Sequence, residues 1–151
     1  MKDLAYKHLD RKLSKLDAVE DLTRPAHGWI RVVRGALGIT TTQLAKRLKM
    51  SQPSVIGMEK AEQRGAISIE TLERAADALN CKLVYVLVPN TPLEEMLRNQ
   101  AKKVAKNRLE RVSHTMHLED QAVSSQAMKE KYESLVDELM RGNLHRLWDE
   151  Q

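Results

Sequence analysis

Residues 41–60, "TTQLAKRLKMSQPSVIGMEK", contain two helix starts separated by too little chain for anything but a tight corner. Thr40 or Thr41 offers an N-cap, and Leu44, Ala45 and Leu48 then recur at helical spacing on one buried face. Only Lys49 and Met50 intervene before Ser51, a second N-cap. Pro53 falls at or just after the first helical position, where its missing N–H costs little, so it opens the helix and does not break it. Val55 and Met58, three apart, share the buried side, with Ile56 joining them in part. Gln52, Ser54 and Gly57 are left to point elsewhere, giving a short helix with a small, polar outward face.

The flanks place this pair inside a compact helical unit. Upstream, Pro25 in "DLTRPAHG" biases Arg24 away from helix, and a helix over about 26–37 carries Trp29, Ile30, Val33 and Leu37 on one stripe. Gly38 supplies its C-terminal stop. Downstream, "EQRGA" (62–66) reads as a loop, and Ser68 caps a helix with Ile69, Leu72, Ala75, Ala76 and Leu79 inward. After Asn80 the period changes. "KLVYVLV" (82–88) is apolar after Lys82 and mostly of β-branched and apolar type, with Val84, Val86 and Val88 among leucines and a tyrosine; it ends at Pro89 and predicts one short β-strand. A strand needs a partner for its backbone, and no second segment of this chain alternates like one.

Outside 26–88 lie two predicted helical arms. Leu4, Leu9, Leu13 and Leu16 repeat at helical spacing in residues 1–25, an amphipathic helix that needs a partner surface. In residues 89–151, Thr91 and Pro92 open a helix whose stripe of Leu97, Ala101, Val104, Leu109, Val112 and Met116 runs to about 116. A last helix near 124–141 uses Ala127, Met128, Leu135 and Leu139 and stops at Gly142, before Leu144, Leu147 and Trp148. The fold class is therefore mostly α: a helix-turn-helix domain at 26–88 with one strand, and arms at 1–25 and 89–151.

Charge and composition narrow the function. The chain has 151 residues, is 42% hydrophobic and contains no Phe, so its core must be aliphatic. Residues 26–90 hold 9 basic and 5 acidic groups (+4), against 6 and 5 (+1) before them and 10 and 11 (−1) after them. The positive excess thus coincides with the paired helices, which fits a polyanionic partner. No apolar run is long enough for a membrane span, and Met1 is followed by Lys2-Asp3 where a signal peptide would turn apolar, so a cytoplasmic location is expected. The single Cys81 precludes an intrachain disulfide and suits a reducing compartment. It reads as a buried thiol.

Two short helices joined by a tight turn place the second in the DNA major groove, with its N-terminal residues at the base edges. Gln52 then faces bases, where a carboxamide pairs bidentately with adenine, while Ser54 is permissive and Gly57 permits close approach. The head of the preceding helix, Thr41, Thr42 and Gln43, meets a phosphate through its N–H groups. Lys46, Arg47, Lys60 and Arg64 are further phosphate candidates. With Ser51 and Pro53, the DNA-binding set is Thr41, Thr42, Gln43, Arg47, Ser51, Gln52, Pro53, Ser54, Gly57, Lys60 and Arg64.

The same stretch resembles the XRE, or lambda-repressor-like, helix-turn-helix family, through Leu44, Ala45, Ser51, Val55 and Glu59. Lys49 stands where that family's turn often has Gly, and "EKAEQRGAIS" is longer than its usual loop. A wider resemblance, over about residues 9–123, is to the family called mobile mystery protein A. It is carried by "LDRKL", "RPAHGWIRVVRGALG", "SQPSV", "EKAE", "CKLVYVLVP", "LEEM" and "HTMHLEDQAV". That resemblance implies a bacterial regulator, and a neighbouring gene for a Fic-domain protein.

The expected function is sequence-specific binding of double-stranded DNA as a transcriptional regulator, acting as a homodimer whose unpaired strand 82–88 meets its own copy. The alternative is an antitoxin-like module that binds and restrains a co-encoded Fic-domain toxin. No enzyme signature is visible: no phosphate-binding glycine loop, no dinucleotide motif and no ordered Ser-His-Asp set. No cofactor is expected. His114 and His117 with Glu110 and Glu119 fall short of the four convergent ligands a metal requires, so no metal is expected either. The basic run Arg98, Lys102, Lys103, Lys106, Arg108 and Arg111 reads as a solvated helix face.

Overall fold

The structure, a computed structural model, describes residues 5–16, 18–118 and 125–149; of Ser113 and residues 115–118 it describes the backbone alone. Leu4 and Met116 of the predicted stripes therefore lie outside the described side chains. Seven α-helices are present among the described residues, and they form two compact units, residues 18–87 and residues 1–17 with 88–151.

The first unit contains α2 (Trp29–Ala36), α3 (Thr41–Leu48), α4 (Gln52–Gln63) and α5 (Ile69–Ala78), preceded by a 3₁₀ turn at Val19–Leu22. Local chemistry sets most of these ends. Thr40 caps α3 through a reciprocal box: its hydroxyl accepts from the Gln43 amide at 3.1 Å, and the Gln43 carboxamide oxygen accepts from the Thr40 amide at 2.8 Å. Ser51 and Ser68 accept from the amides of Ser54 (3.3 Å) and Thr71 (3.1 Å) to cap α4 and α5. Lys49 closes α3 in the left-handed region, at φ 54°, the conformation for which glycine is the usual residue. Asn80, also at φ 54°, ends α5 in the same way, with the Cys81 amide returning to the Ala76 carbonyl at 2.8 Å.

Ile30, Leu44, Ala45, Val55, Met58, Ala75 and Leu79 form the core of this unit, with Val33, Leu48 and Leu72 packed against it. Trp29 and Leu37, assigned to the inner stripe of α2 from the sequence, are exposed, and so is Ile56 at 38%. The largest departure concerns charge. Helix α4 takes up the first two residues of the predicted loop "EQRGA", ending at Gln63 and leaving 64–66 outside the helix, and Glu59 and Glu62 lie on its buried side. Glu62, 2% exposed, accepts from the Trp29 amide at 2.6 Å and the Ile30 amide at 2.9 Å, capping α2 from across the core. Gly28, at φ +82°, admits this carboxylate; a β-carbon there would lie 2.7 Å from Glu62 Oε2. Glu59 pairs with Arg34 through Nε at 2.5 Å and Nη2 at 3.3 Å, while Arg34 Nη1 donates to the Ile39 carbonyl at 2.9 Å.

The predicted strand is not formed. Residues 82–88 run without regular structure, and Val84 (74% exposed), Tyr85 and Leu87 (90% exposed) project into solvent. A β-branched run favours extended backbone, but a strand exists only when a second one accepts its hydrogen bonds, and none among the described residues does so. Cys81, expected to be buried, is exposed.

The second unit is built from α1 (Ala5–Leu13), α6 (Leu93–Leu118) and α7 (Ser125–Arg141), closed by a 3₁₀ turn at Leu144–Leu147. Its core is Ala101, Val104, Ala105, Val136, Met140 and Leu147. The small Ala101 and Ala105 let α7 lie close to α6, and Gln100 donates to the Leu147 carbonyl at 2.7 Å. Helix α1 reaches this core through Tyr6; Leu9 and Leu16, two of its predicted stripe, are exposed. Asp10 of α1 accepts from the Leu93 and Glu94 amides at 2.8 and 3.0 Å, so an acidic side chain caps the positive end of α6. No helix among the described residues is long and apolar enough to cross a membrane.

Candidate nucleic-acid interface

The site assembles on α3 and α4. The left-handed Lys49 turns the chain within two residues, and the Met50 amide bonds back to the Ala45 carbonyl at 3.0 Å, so α4 begins directly below the end of α3. Val55 and Met58 dock the inner side of α4 into the apolar core; Glu59 and Glu62 dock it through ion-pair and amide bonds. Everything else in its first two turns faces out: Gln52, Pro53, Ser54, Ile56 and Gly57 are exposed, and Lys60 and Arg64 follow on the same side. That surface is uncharged where the helix starts and basic where it ends. It carries no acidic group.

Gln52 is held in place. Its Nε2 donates to the Thr41 hydroxyl at 2.9 Å, which links the head of α4 to the head of α3. One Nε2 hydrogen and the carboxamide oxygen remain, the pair a bidentate contact to adenine needs. Ser51 and Ser54 share a hydroxyl–hydroxyl bond of 2.7 Å. Thr42 and Gln43 are exposed at the start of α3, although the Gln43 oxygen is occupied by the capping box. The first amides of any helix lack intrahelical acceptors, which leaves those of Thr41 and Thr42 directed outward. A β-carbon on Gly57 would meet nothing within 4 Å, so the surface at this point is open.

Arg47 has an intramolecular partner that its sequence position did not reveal. Its Nη1 donates to the Ala78 carbonyl at 3.0 Å, at the C-terminal end of α5, where a cation is favoured by the helix dipole. The buried roles of Arg34, Glu59 and Glu62 are missed from the sequence: Glu59 enters only as a residue of the family resemblance, and Glu62 falls in a predicted loop. The signal was present in the i, i+3 spacing of the two glutamates and their phase with Val55 and Met58, which places carboxylates on a core-facing side. In the other unit, Arg98 pairs with Asp137 at 3.5 Å and Lys106 with Glu110 at 3.9 Å, so part of the basic run of α6 is neutralised locally. No group of His, Cys, Asp and Glu among the described residues could hold a metal ion. The side chain of His117, and Glu119, lie outside the described residues.

A capped helix, a short turn through the left-handed Lys49 and a second helix with a free outward face define the helix-turn-helix class of fold. Comparison with known families agrees: residues 30–86 match the helix-turn-helix family, and this part of the chain is an XRE-type helix-turn-helix domain. The match begins within α2, covers α3 to α5 and ends inside the irregular segment 82–88, leaving α1, α6 and α7 outside it. No curated protein and no solved structure matches the chain.

Proposed function

We propose that the protein is a transcriptional regulator that binds a specific double-stranded DNA operator through α4. The observation that carries this reading is the outward side of α4. It is uncharged and small at its start, basic at its end, and set beside the head of α3 by the Gln52–Thr41 bond. With α4 in the major groove, Gln52 and Ser54 meet base edges, and Pro53 and Gly57 let the backbone come close. Ser51, Thr41, Thr42 and Gln43 lie at helix heads suited to phosphate, and Lys60, Arg64 and Arg47 supply positive charge. Arg47 divides its guanidinium between phosphate and the Ala78 carbonyl.

Selection of binding sites from a random double-stranded library with the purified chain tests this. A recurring sequence is expected, and Gln52→Ala should lower its affinity by roughly ten-fold or more while relaxing preference at one base pair. Binding that is equal for all sequences, or a Gln52→Ala protein that still prefers the selected site unchanged, contradicts the reading.

Binding as a homodimer is part of this proposal, because a dimer sets two recognition helices on half-sites about one DNA turn apart. The exposed apolar run Val84–Val88 supports burial of this segment against a second copy. A second reading, restraint of a co-encoded Fic-domain toxin, is supported by the resemblance to mobile mystery protein A and by a separate unit outside the helix-turn-helix match. The apolar stripe of α6 gives it less support, because α7 covers Ala101 and Val104.

A further inference from the structure

The outward side of α4 contains a feature that hydrogen-bond readout does not use. Pro53, Ile56 and Gly57 stand at i, i+3 and i+4, which makes them mutual neighbours on the helix surface. All three are exposed; Ile56 keeps 38% of its surface in solvent, and the position of a Gly57 β-carbon is open to 4 Å. The pyrrolidine ring and the branched side chain therefore wall a shallow notch with backbone as its floor. None of the three side chains donates or accepts a hydrogen bond. Gln52 flanks the notch on one side, and Lys60 and Arg64 continue the face beyond it.

We propose that this notch seats the 5-methyl group of a thymine in the major groove, making Ile56 a specificity-determining residue; the inference rests on the DNA reading of α4 given above. The thymine methyl is the one apolar group presented on the base edges of that groove. A wall of Pro and Ile matches it, whereas phosphates and polar base edges gain nothing there. The basic residues on the same face suit the surrounding phosphates, and the absence of acidic groups between Gln52 and Gly57 removes any repulsion. Ile56 lies one turn beyond Gln52, about 6 Å along the axis. That corresponds to about two base-pair steps at 3.4 Å each, so the thymine lies within two pairs of the base that Gln52 reads.

The test replaces each thymine of the selected operator, one at a time, by deoxyuridine, which removes the methyl and nothing else. Dissociation constants are measured with the full chain, for the wild type and for Ile56→Ala. One thymine per half-site is expected at which uracil weakens wild-type binding roughly four-fold, the equivalent of burying one methyl-sized group. At that position Ile56→Ala binds the thymine and uracil operators alike. Gly57→Ala, which fills the notch where Ile56→Ala empties it, should abolish the same sensitivity by the opposite change in volume. Uracil effects of equal size in wild type and both variants, or no sensitive thymine in a tightly bound operator, overturn the notch and leave the DNA reading standing. A chain that selects no sequence at all overturns both.

Discussion

Gly57→Ala separates what α4 does for the fold from what it does at its outward face. Gly57 lies in the interior of a helix, where glycine costs about 0.5–1 kcal/mol relative to alanine because its unfolded backbone is freer. No atom within 4 Å opposes the added β-carbon, and φ at this position is not in the left-handed region, so nothing offsets the gain. The variant should be more stable in its helix-turn-helix unit by that amount. The chain contains two compact units, which makes a single global unfolding energy ambiguous. Native-state hydrogen exchange of α4 amides resolves the unit directly, and protection should rise about two- to five-fold for a gain of that size. Operator affinity should move the other way. A methyl group placed where backbone approaches the groove forces α4 outward, and a loss of about ten-fold, or ~1.4 kcal/mol, is expected by fluorescence anisotropy. Raised protection with unchanged affinity would show that this face does not approach DNA closely. Lowered protection would show that the space at the β-carbon is not open, and would remove the structural premise.

Glu62→Ala should destabilise the same unit by about 2–4 kcal/mol, since two α2 amides lose their buried acceptor; urea denaturation followed by exchange at α2 measures it, and a change under about 0.5 kcal/mol, the range of ordinary surface substitutions, would mean that water replaces the carboxylate freely. Lys60→Ala should weaken all DNA sequences to a similar degree and reduce the slope of log affinity against log salt by about one unit; an unchanged slope places Lys60 away from phosphate. Leu87→Glu, at the most exposed of the apolar residues in the irregular segment, should shift a dimer to monomer in sedimentation experiments without altering α2 to α5. A wild type that is monomeric at tens of micromolar would end the homodimer proposal.

What the sequence disclosed and what it withheld divide along one physical line. Thr40, Ser51 and Ser68 act within three residues of themselves, so their capping roles, and with them the starts of α3, α4 and α5, could be read directly. Val55 and Met58 betrayed the buried side of α4 for the same local reason. The phase of Glu59 and Glu62 with Val55 and Met58 marks their side of the helix, but not what they bind, because their partners Arg34, Trp29 and Ile30 lie 25 to 33 residues upstream. Read by polarity, Glu62 falls in the loop 62–66, whereas α4 runs on to Gln63 before the turn at Arg64 and Gly65. Arg47 looked like an unattached cation until α5 folded back to bring the Ala78 carbonyl to it. The irregular segment is the extreme case. Its valines favour an extended backbone, but pairing is a property of two segments, and the described residues supply no second one.

These long-range contacts bear on recognition, because they fix the rotation of α4 about its own axis. Apolar contact is non-directional, so Val55 and Met58 alone would set the buried side of the helix only coarsely and leave its exact rotation loose. The two-point Arg34–Glu59 pair and the two amide bonds on Glu62 are directional, and they leave Gln52 and the notch at Ile56 pointing away from the core. Arg34→Lys isolates this effect. Lysine keeps the positive charge beside Glu59 and spares it the several-kcal/mol penalty of an unpaired buried carboxylate, but it cannot form the planar fork or reach the Ile39 carbonyl at the same time. The variant should therefore stay folded with modestly reduced stability. Its discrimination between the selected operator and single-base variants should shrink, while its affinity for unrelated DNA, set by phosphates, holds. Equal losses on all sequences would indicate simple destabilisation. Unaltered discrimination would mean that apolar packing orients α4 by itself, and that the buried charges serve stability alone.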